Sequence, residues 1–386
     1  MTIAPDRSGE ITRCFRQRFA GAPTHWCRAP GRVDLMGSHT DYNLGYVLTL
    51  SIDRDTWIAA RPRTDRVVRL WSENLRAEST FRLDAIAAQA GRRWSNYVRG
   101  VAKVLRGEGL ALTGFDGVIQ STVPMSSGLS SSAALECATA TTFEALGGWK
   151  LDPVTKALLC QQAENHFVGV NCGILDQYTS CVGREGCALL LDCRDLSSRP
   201  VRLAERIQIV ICDTKSKRQL AGSEYGLRRA QCEEGARRLG LRALREISVE
   251  ELHRREQELP AEVAKRCRFI VEENQRVLGL AAALPAFDRA AIRELTAASF
   301  RGACELYEIG APAMHVMMQA MLAAPGVIGA RQAGAGFGGC MVAFVEKGSA
   351  DAFAVFVRKH YFAATETEPE IYAVKAAAGA GVMAEP

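Results

Sequence analysis

Pro124-Met125-Ser126-Ser127-Gly128-Leu129-Ser130-Ser131-Ser132-Ala133 is the stretch whose reading decides the fold. It follows Phe115 to Thr122, an apolar run that reads as a strand, and leads into Leu129 to Leu146, which reads as a helix. A strand that enters a helix through small residues leaves unpaired N–H groups at the helix start, where an anion is stabilised. Small side chains let the backbone approach phosphate oxygens, and serine hydroxyls add hydrogen bonds or hold a hard cation. A serine N-cap needs only one hydroxyl, whereas residues 126–132 carry five serines. The stretch is not a Walker A loop, because no Lys follows the glycine, and it lacks the GxGxxG of a dinucleotide site. A phosphate-binding turn of another kind is expected.

The remaining composition suits a soluble protein with such a site. The 386 residues are 48% hydrophobic and 24% charged, as in an ordinary globular chain, and this length predicts two to three domains or two large ones. A net charge of +5 is no nucleic-acid footprint but favours an anionic small ligand. Apolar runs such as Ile207 to Cys212 are strand-length, short of the ~20 residues of a membrane span. Met1 to Arg18 carries charge where an export signal carries an apolar core. Thirteen cysteines occur without a CxxC, which argues for reduced cytoplasmic thiols rather than a disulfide framework or a zinc site.

Strand patterns at Val47 to Ile52, Trp57 to Ala60, Val67 to Ser72, Ala188 to Asp192, Ile207 to Asp213, Met341 to Val345 and Ile371 to Val374 mix with helical ones at Ser95 to Leu105 and Ala350 to His360. From Ser223 to Glu273 the Arg, Glu, Leu and Ala content predicts long amphipathic helices. Strands and helices without regular βαβ alternation indicate an α+β fold, with a boundary near residues 195–215. Two further turns stand out. Gly334-Ala335-Gly336-Phe337-Gly338-Gly339-Cys340 calls for positive φ or close approach. Ala29-Pro30-Gly31-Arg32-Val33-Asp34-Leu35-Met36-Gly37-Ser38-His39-Thr40-Asp41-Tyr42-Asn43 gathers an Arg, two Asp and a His between glycines, a charged turn that is unusual for a core strand.

Together, and in their chain order (first the Arg-bearing segment, second the serine turn, third the late glycine turn), the three segments resemble the GHMP kinases, and most closely their galactokinase branch. Ala163-Glu164-Asn165-His166-Phe167-Val168-Gly169-Val170-Asn171-Cys172-Gly173-Ile174-Leu175-Asp176-Gln177 resembles the central galactokinase segment. Lys217-Arg218 with Ser223-Glu224-Tyr225 and Arg228-Arg229, Trp94 to Val101, and Ala376 to Ala380 fit as well. The resemblance implies a ribosomal-S5-like N-terminal domain (residues 1–205), a ferredoxin-like C-terminal domain (206–386) and an active site between them. It implies ATP-dependent phosphorylation of a free sugar at its anomeric hydroxyl, most simply D-galactose, by a cytoplasmic monomer or weak homodimer with no nucleic-acid or membrane partner.

By the same resemblance, Asp176 sits beside the sugar C1 hydroxyl and Arg32 between Asp176 and the γ-phosphate. A carboxylate there accepts the hydroxyl proton or anchors the site electrostatically, and an Arg compensates the phosphoryl charge. Pro124, Ser126, Ser127, Gly128, Leu129, Ser130, Ser131 and Ser132 would cradle the triphosphate, with Trp94 near the adenine. Ser132 or Ser131, with Glu164, would hold Mg²⁺. Asp41 would accept vicinal sugar hydroxyls, Tyr225 would donate from the other side, and Ser38, His39, Cys172 and Gly173 would line the pocket.

Two departures fall within the sugar motif: galactokinases usually carry Glu at the position of Ser38 and Asn at that of Asp34. Three readings of Ser38 stand: contact with a C6 hydroxyl through water, a sugar lacking C6 such as L-arabinose, or a C6 carboxylate as in galacturonate. Asp34 weakens the last by returning a charge nearby. A non-catalytic sugar and ATP sensor is the competing class, disfavoured by the intact serine turn, Arg32 and Asp176. The His-Thr-Asp-Tyr run argues against mevalonate kinase.

Overall fold

The computed structural model describes residues 7–125, 127–216 and 221–384, with the side chains of Arg92 and residues 221–223 set aside. Ser126, Lys217 and Arg218 lie outside the described residues, as does the side chain of Ser223.

The first part of the chain runs α1 (Arg7–Arg18), β1 (His25–Met36), β2 (Tyr46–Pro62), β3 (Val67–Ser72), β4 (Ala77–Arg82), α2 (Trp94–Gly107), β5 (Phe115–Ser121), α3 (Ser131–Gly147), α4 (Pro153–Ala163), α5 (Leu175–Val182), β6 (Cys187–Asp192) and β7 (Ser197–Arg202). The second continues β8 (Ile207–Asp213), α6 (Ala221–Arg238), α7 (Val249–Arg255), α8 (Ala261–Ala286), α9 (Arg289–Glu305), α10 (Pro312–Ala323), β9 (Val327–Gln332), β10 (Cys340–Glu346), α11 (Ala350–Thr365), β11 (Glu370–Val374) and β12 (Gly381–Met383). The fold is α+β, as the mixed periodicities indicate. Residues 223–273, read as long helices, are three helices with turns between them.

Eight strands form one sheet in the order β12-β1-β2-β5-β3-β4, with β6 joining β2 and β7 joining β6. β2 serves two neighbours because it is long: Tyr46 to Thr49 pair with β6, and Thr56 to Pro62 pair with β5. What reads as two short strands in the sequence is this one. A four-stranded antiparallel sheet, β11-β8-β10-β9, makes up the second layer. Apolar residues of β1, β2, α8, β8 and β10 share one core between the sheets, including Val33, Leu50, Leu280, Ile211 and Phe344. The chain crosses from one sheet to the other between Arg202 and Ile207, and β12 returns to the first.

β1 corrects the sequence reading: Arg32 and Asp34 lie in a buried strand, and the turn starts only at Gly37. Its pairing with β2 slips twice, between Pro30 and Arg32 and between Asp34 and Met36. Pro has no N–H for a ladder, so it is tolerated at such an irregularity, and bulges re-aim the side chains beside them. At Gly31 a Cβ would stand 2.8 Å from the Leu129 carbonyl oxygen, so glycine there lets the serine turn lie against β1. α3 is buried on nearly all sides, which marks a central helix. Its Thr139, Thr141 and Thr142 hydroxyls satisfy themselves on carbonyls one turn back.

The returning tail is anchored by hydrogen bonds as well as by β12. Ala377 N–H donates to Ser51 O, the Ser51 hydroxyl to Ala377 O, Gly379 N–H to Gly183 O and Ala380 N–H to Ser180 O. At about 1 kcal/mol each, these bonds make the tail structural. Deleting residues 375–386 is expected to lower the melting temperature by about 5 °C or more, read by calorimetry; an unchanged melting point would show that the tail does not hold the sheet.

Candidate active site

Asp176, on the first turn of α5, is gripped by three hydrogen bonds from two elements, β1 and the serine turn. Arg32 Nε donates to its Oδ1 at 2.8 Å and Arg32 Nη2 to the same oxygen at 2.5 Å. The Ser130 hydroxyl donates to Oδ2 at 2.5 Å. Arg32 Nη1 reaches back to Gly128 O at 2.7 Å, and its backbone N–H donates to Leu129 O. The first and second motifs thus interlock around one carboxylate.

Ser130 departs from the simple capping reading. It takes the N-cap position of α3 at φ 59, ψ 50 and makes no side-chain cap hydrogen bond. That left-handed backbone is costly for a non-glycine residue, and it aims the hydroxyl at Asp176 instead of at the helix N–H groups. Ser127 O accepts from Cys340 N–H, as Gly128 O and Leu129 O accept from Arg32. With three successive carbonyls taken up by protein donors, planar peptides turn the intervening N–H groups the other way.

Asp41, His39, Tyr225 and Gly173 come together on the other side of Asp176. A Cβ at Gly173 would stand 1.7 Å from Asp41 Oδ2, so glycine is the residue that lets this carboxylate take its place. Burial and the neighbouring Asp176 charge push Asp41 up to about 6. Burial and Asp41 push the Tyr225 phenol well above its usual range, which keeps it a donor. His39 Nε2 lies 3.0 Å from Ala335 O in the late glycine turn, and Nδ1 lies 2.8 Å from Tyr42 Oη. The carbonyl can only accept, so Nε2 carries the proton. Burial pushes His39 down to about 4, so its ring is neutral and Nδ1 accepts from Tyr42. Tyr307 must then donate to Tyr42, and the Cys232 thiol to Tyr307. His39 thereby ties the sugar motif to the third glycine turn, where Gly334, Gly336, Gly338 and Gly339 all have positive φ. Cys172 N–H and thiol are both held by Asn165 Oδ1, and the thiol also faces Glu164. Cys172 therefore fixes the backbone before Gly173.

Beyond the serine turn lies a cavity of about 350 Å³ lined by Trp94, Tyr97, Asn74, Met125, Ser131 and Ser132, among others. Trp94 Nε1 is buried without a hydrogen-bond partner. Next to it Glu164 sits in a π-helical turn, a local irregularity common at functional sites. Gln177 Nε2 bridges Glu164 and Glu136 at 2.6 and 2.9 Å. Burial and the Asp176 charge push Glu164 up to about 7; burial and the Glu164 charge push Glu136 well above the carboxylate range. Glu136 Oε1 is a buried orphan. The hard Glu164 oxygens beside the Ser132 hydroxyl fit Mg²⁺, whose charge would favour the ionised carboxylate. No cluster of three or more His, Cys, Asp or Glu forms a protein-only cage among the described residues. Glu136 and Gln177 were missed in the sequence because a buried Glu on an apolar helix gives no local signal.

Ser38 is buried, 2% exposed. Its hydroxyl donates to Asp34 Oδ2 at 2.6 Å and accepts from Arg331 Nη2 at 2.9 Å. The nearness of Asp34 expected from the sequence holds, and the partner Arg331 comes from a strand almost 300 positions away.

Models of three families match this chain: the GHMP kinases N terminal domain at residues 96–184, the galactokinase galactose-binding signature at 13–62 and the GHMP kinases C terminal at 280–363. A galactokinase of Roseiflexus sp. (strain RS-1) is 43% identical over 379 residues, 97% of each chain. This chain belongs to the GHMP kinase family, among the galactokinases. The crystal structure of Lactococcus lactis galactokinase complexed with galactose superposes with a TM-score of 0.91 at 34% identity, covering 96% of this chain and 98% of that one. Methanococcus jannaschii mevalonate kinase shares the fold alone, with a TM-score of 0.66 at 16% identity over 93% and 100% of the two chains. The L-arabinose and galacturonate readings of Ser38 find no support among these galactokinases.

The Asp41–Gly173 contact gives a direct check. Gly173→Ala is expected to cut kcat/KM for the sugar at least about 100-fold through displacement of Asp41, with the melting temperature within a few degrees of the parent. Full activity would mean that the packing at Gly173 does not position Asp41.

Proposed function

We propose that this chain transfers the γ-phosphoryl group of ATP to the C1 hydroxyl of D-galactose, giving galactose 1-phosphate and ADP. One observation carries the reading: Asp176, fixed by Arg32 and Ser130, stands between the serine turn and the Asp41–Tyr225 pocket, where a sugar hydroxyl and a phosphoryl group would meet. The galactose-binding signature and the galactose-bound relative support the choice of sugar.

In this reading Asp41 accepts vicinal hydroxyls and Tyr225 donates from the facing side. Asp176 Oδ1 takes both Arg32 bonds, whereas Oδ2 keeps a lone pair after its bond from Ser130, so the carboxylate can receive the C1 hydroxyl proton at Oδ2. The sugar oxygen then bonds to the γ-phosphorus as the bond from phosphorus to the bridging oxygen breaks and ADP leaves. Arg32 compensates the charge that develops on the phosphoryl oxygens. The serine turn supplies backbone N–H groups to the phosphates, and the Trp94 cavity receives the base. Ser132 and Glu164 would hold Mg²⁺, which neutralises phosphate charge when bound. The setting is cytoplasmic, as a monomer or weak homodimer acting on small molecules, with the two domains meeting at 205/206. Among the described residues, no helix is long and apolar enough to cross a membrane.

ATP consumption with Mg²⁺ should be measured with D-galactose, L-arabinose, D-galacturonate, D-glucose and mevalonate. D-galactose is expected to lead by at least about tenfold; a lead by another sugar would replace the substrate, and no turnover at all would favour the sensor. Asp176→Ala should lower kcat by about 10³-fold with ATP binding retained. The pH profile adds an independent sign. Asp41 is ionised above about 6 and protonated below, so the galactose KM should rise as pH falls through that value. A flat KM would remove Asp41 from the pocket.

A further inference from the structure

Beneath the turn that carries His39 and Asp41 lies a sealed charge cluster that phosphoryl transfer does not use. Asp34 of β1, Glu273 of α8 and Arg331 of β9 are each 0% exposed. Arg331 Nε donates to the Ser299 hydroxyl at 3.1 Å, and its Nη2 reaches Ser38 Oγ at 2.9 Å and Glu273 Oε1 at 3.3 Å. Glu273 also accepts from Gly37 N–H at 3.2 Å and pairs with Arg276 at 2.6 Å. Asp34 Oδ2 accepts from Ser38, while Asp34 Oδ1 stands 3.7 Å from Arg331 and has no hydrogen bond.

In the sealed part of this cluster two carboxylates, Asp34 and Glu273, face two guanidinium groups, Arg331 and Arg276, and Arg276 also pairs at the rim with the half-buried Glu272. A buried charge is tolerated only when paired, so the cluster has room for one carboxylate beside Arg331 in addition to Glu273. The resemblance gives most galactokinases Asn and Glu at positions 34 and 38; this chain has Asp and Ser. Either combination supplies one carboxylate. The turn is gripped at both of its first residues by this cluster, Gly37 through Glu273 and Ser38 through Asp34 and Arg331.

We propose that positions 34 and 38 form one charge unit with Arg331, and that Asp34, acting through Ser38, is a positioning residue for the sugar-binding turn. Loss of the Asp34 charge leaves Arg331 in surplus and releases Ser38. A carboxylate added at 38 while Asp34 remains brings a further negative group against Arg331, which already faces Asp34 and Glu273. In both cases the turn shifts, and with it His39 and Asp41, while the serine turn keeps its own bonds to Arg32. The inference rests on the galactokinase reading only for the sugar used to detect it.

A double-mutant cycle tests this. Kinetics and melting temperature are compared for the parent, Asp34→Asn, Ser38→Glu and the double variant, with whichever sugar of the panel the parent turns over best. Each single change is expected to raise the sugar KM about tenfold and lower the melting temperature, with the ATP KM within about twofold. The double variant is expected to return the sugar KM to within about threefold of the parent and to regain the lost melting temperature. Effects that simply multiply in the double variant, or an unmoved sugar KM in Asp34→Asn, or an ATP KM that moves as far as the sugar KM, would overturn the proposal. If Ser38→Glu fails to fold, recovery of a soluble, active double variant supports the shared charge, and an insoluble double variant refutes it. A parent that prefers another sugar would overturn the galactose reading and leave the cycle readable with that sugar.

Discussion

The ion pair between Arg32 and Asp176 is the constraint on which the other parts depend. Arg32 cannot hold Asp176 unless β1 bulges at Pro30 and Gly31, because a regular strand would aim residue 32 elsewhere. The serine turn cannot close on β1 unless residue 31 lacks a side chain. Ser130 cannot donate to Asp176 from an ordinary helix cap, so its backbone adopts the left-handed conformation. That conformation costs on the order of 1–3 kcal/mol, which short, charge-assisted hydrogen bonds can offset. Each local irregularity therefore has the same cause.

The charge around this pair explains the chemistry the site can do. Asp41, Glu164 and Glu136 are all pushed upward, by burial first and by neighbouring carboxylates next. A pocket so rich in buried negative groups favours ligands that bring hydroxyl donors on one side and a cation on the other. Those are the two faces presented here, the Asp41–Tyr225 side and the Ser132–Glu164 side. The glycine-rich turn joins them, since Ala335 accepts from His39 and Cys340 donates to Ser127.

Much of this was legible in the sequence because it is local. The strand, serine turn and helix around Gly128 have periodicity and punctuation that read directly, and the third turn uses positive φ at the glycines that the sequence marks for it. β1 was not legible as a strand, since Pro, Gly, Arg and Asp are poor strand formers and only tertiary pairing makes them one. The left-handed Ser130 and Phe337 carry no signal in their residue types. Glu273 and Arg331 look like surface charges in their own segments and become buried partners of Asp34 and Ser38 only when distant elements pack together. The departures at 34 and 38 were visible in the sequence, but their connection through Arg331 was not.

The central claim is that Asp176 faces an anomeric hydroxyl within reach of the phosphoryl group. The most direct measurement is phosphorus-31 and proton NMR of the product formed from galactose and ATP. The account predicts a single sugar phosphate whose phosphorus couples to the anomeric proton. A phosphate coupled to the C6 protons, or inorganic phosphate alone, would contradict it.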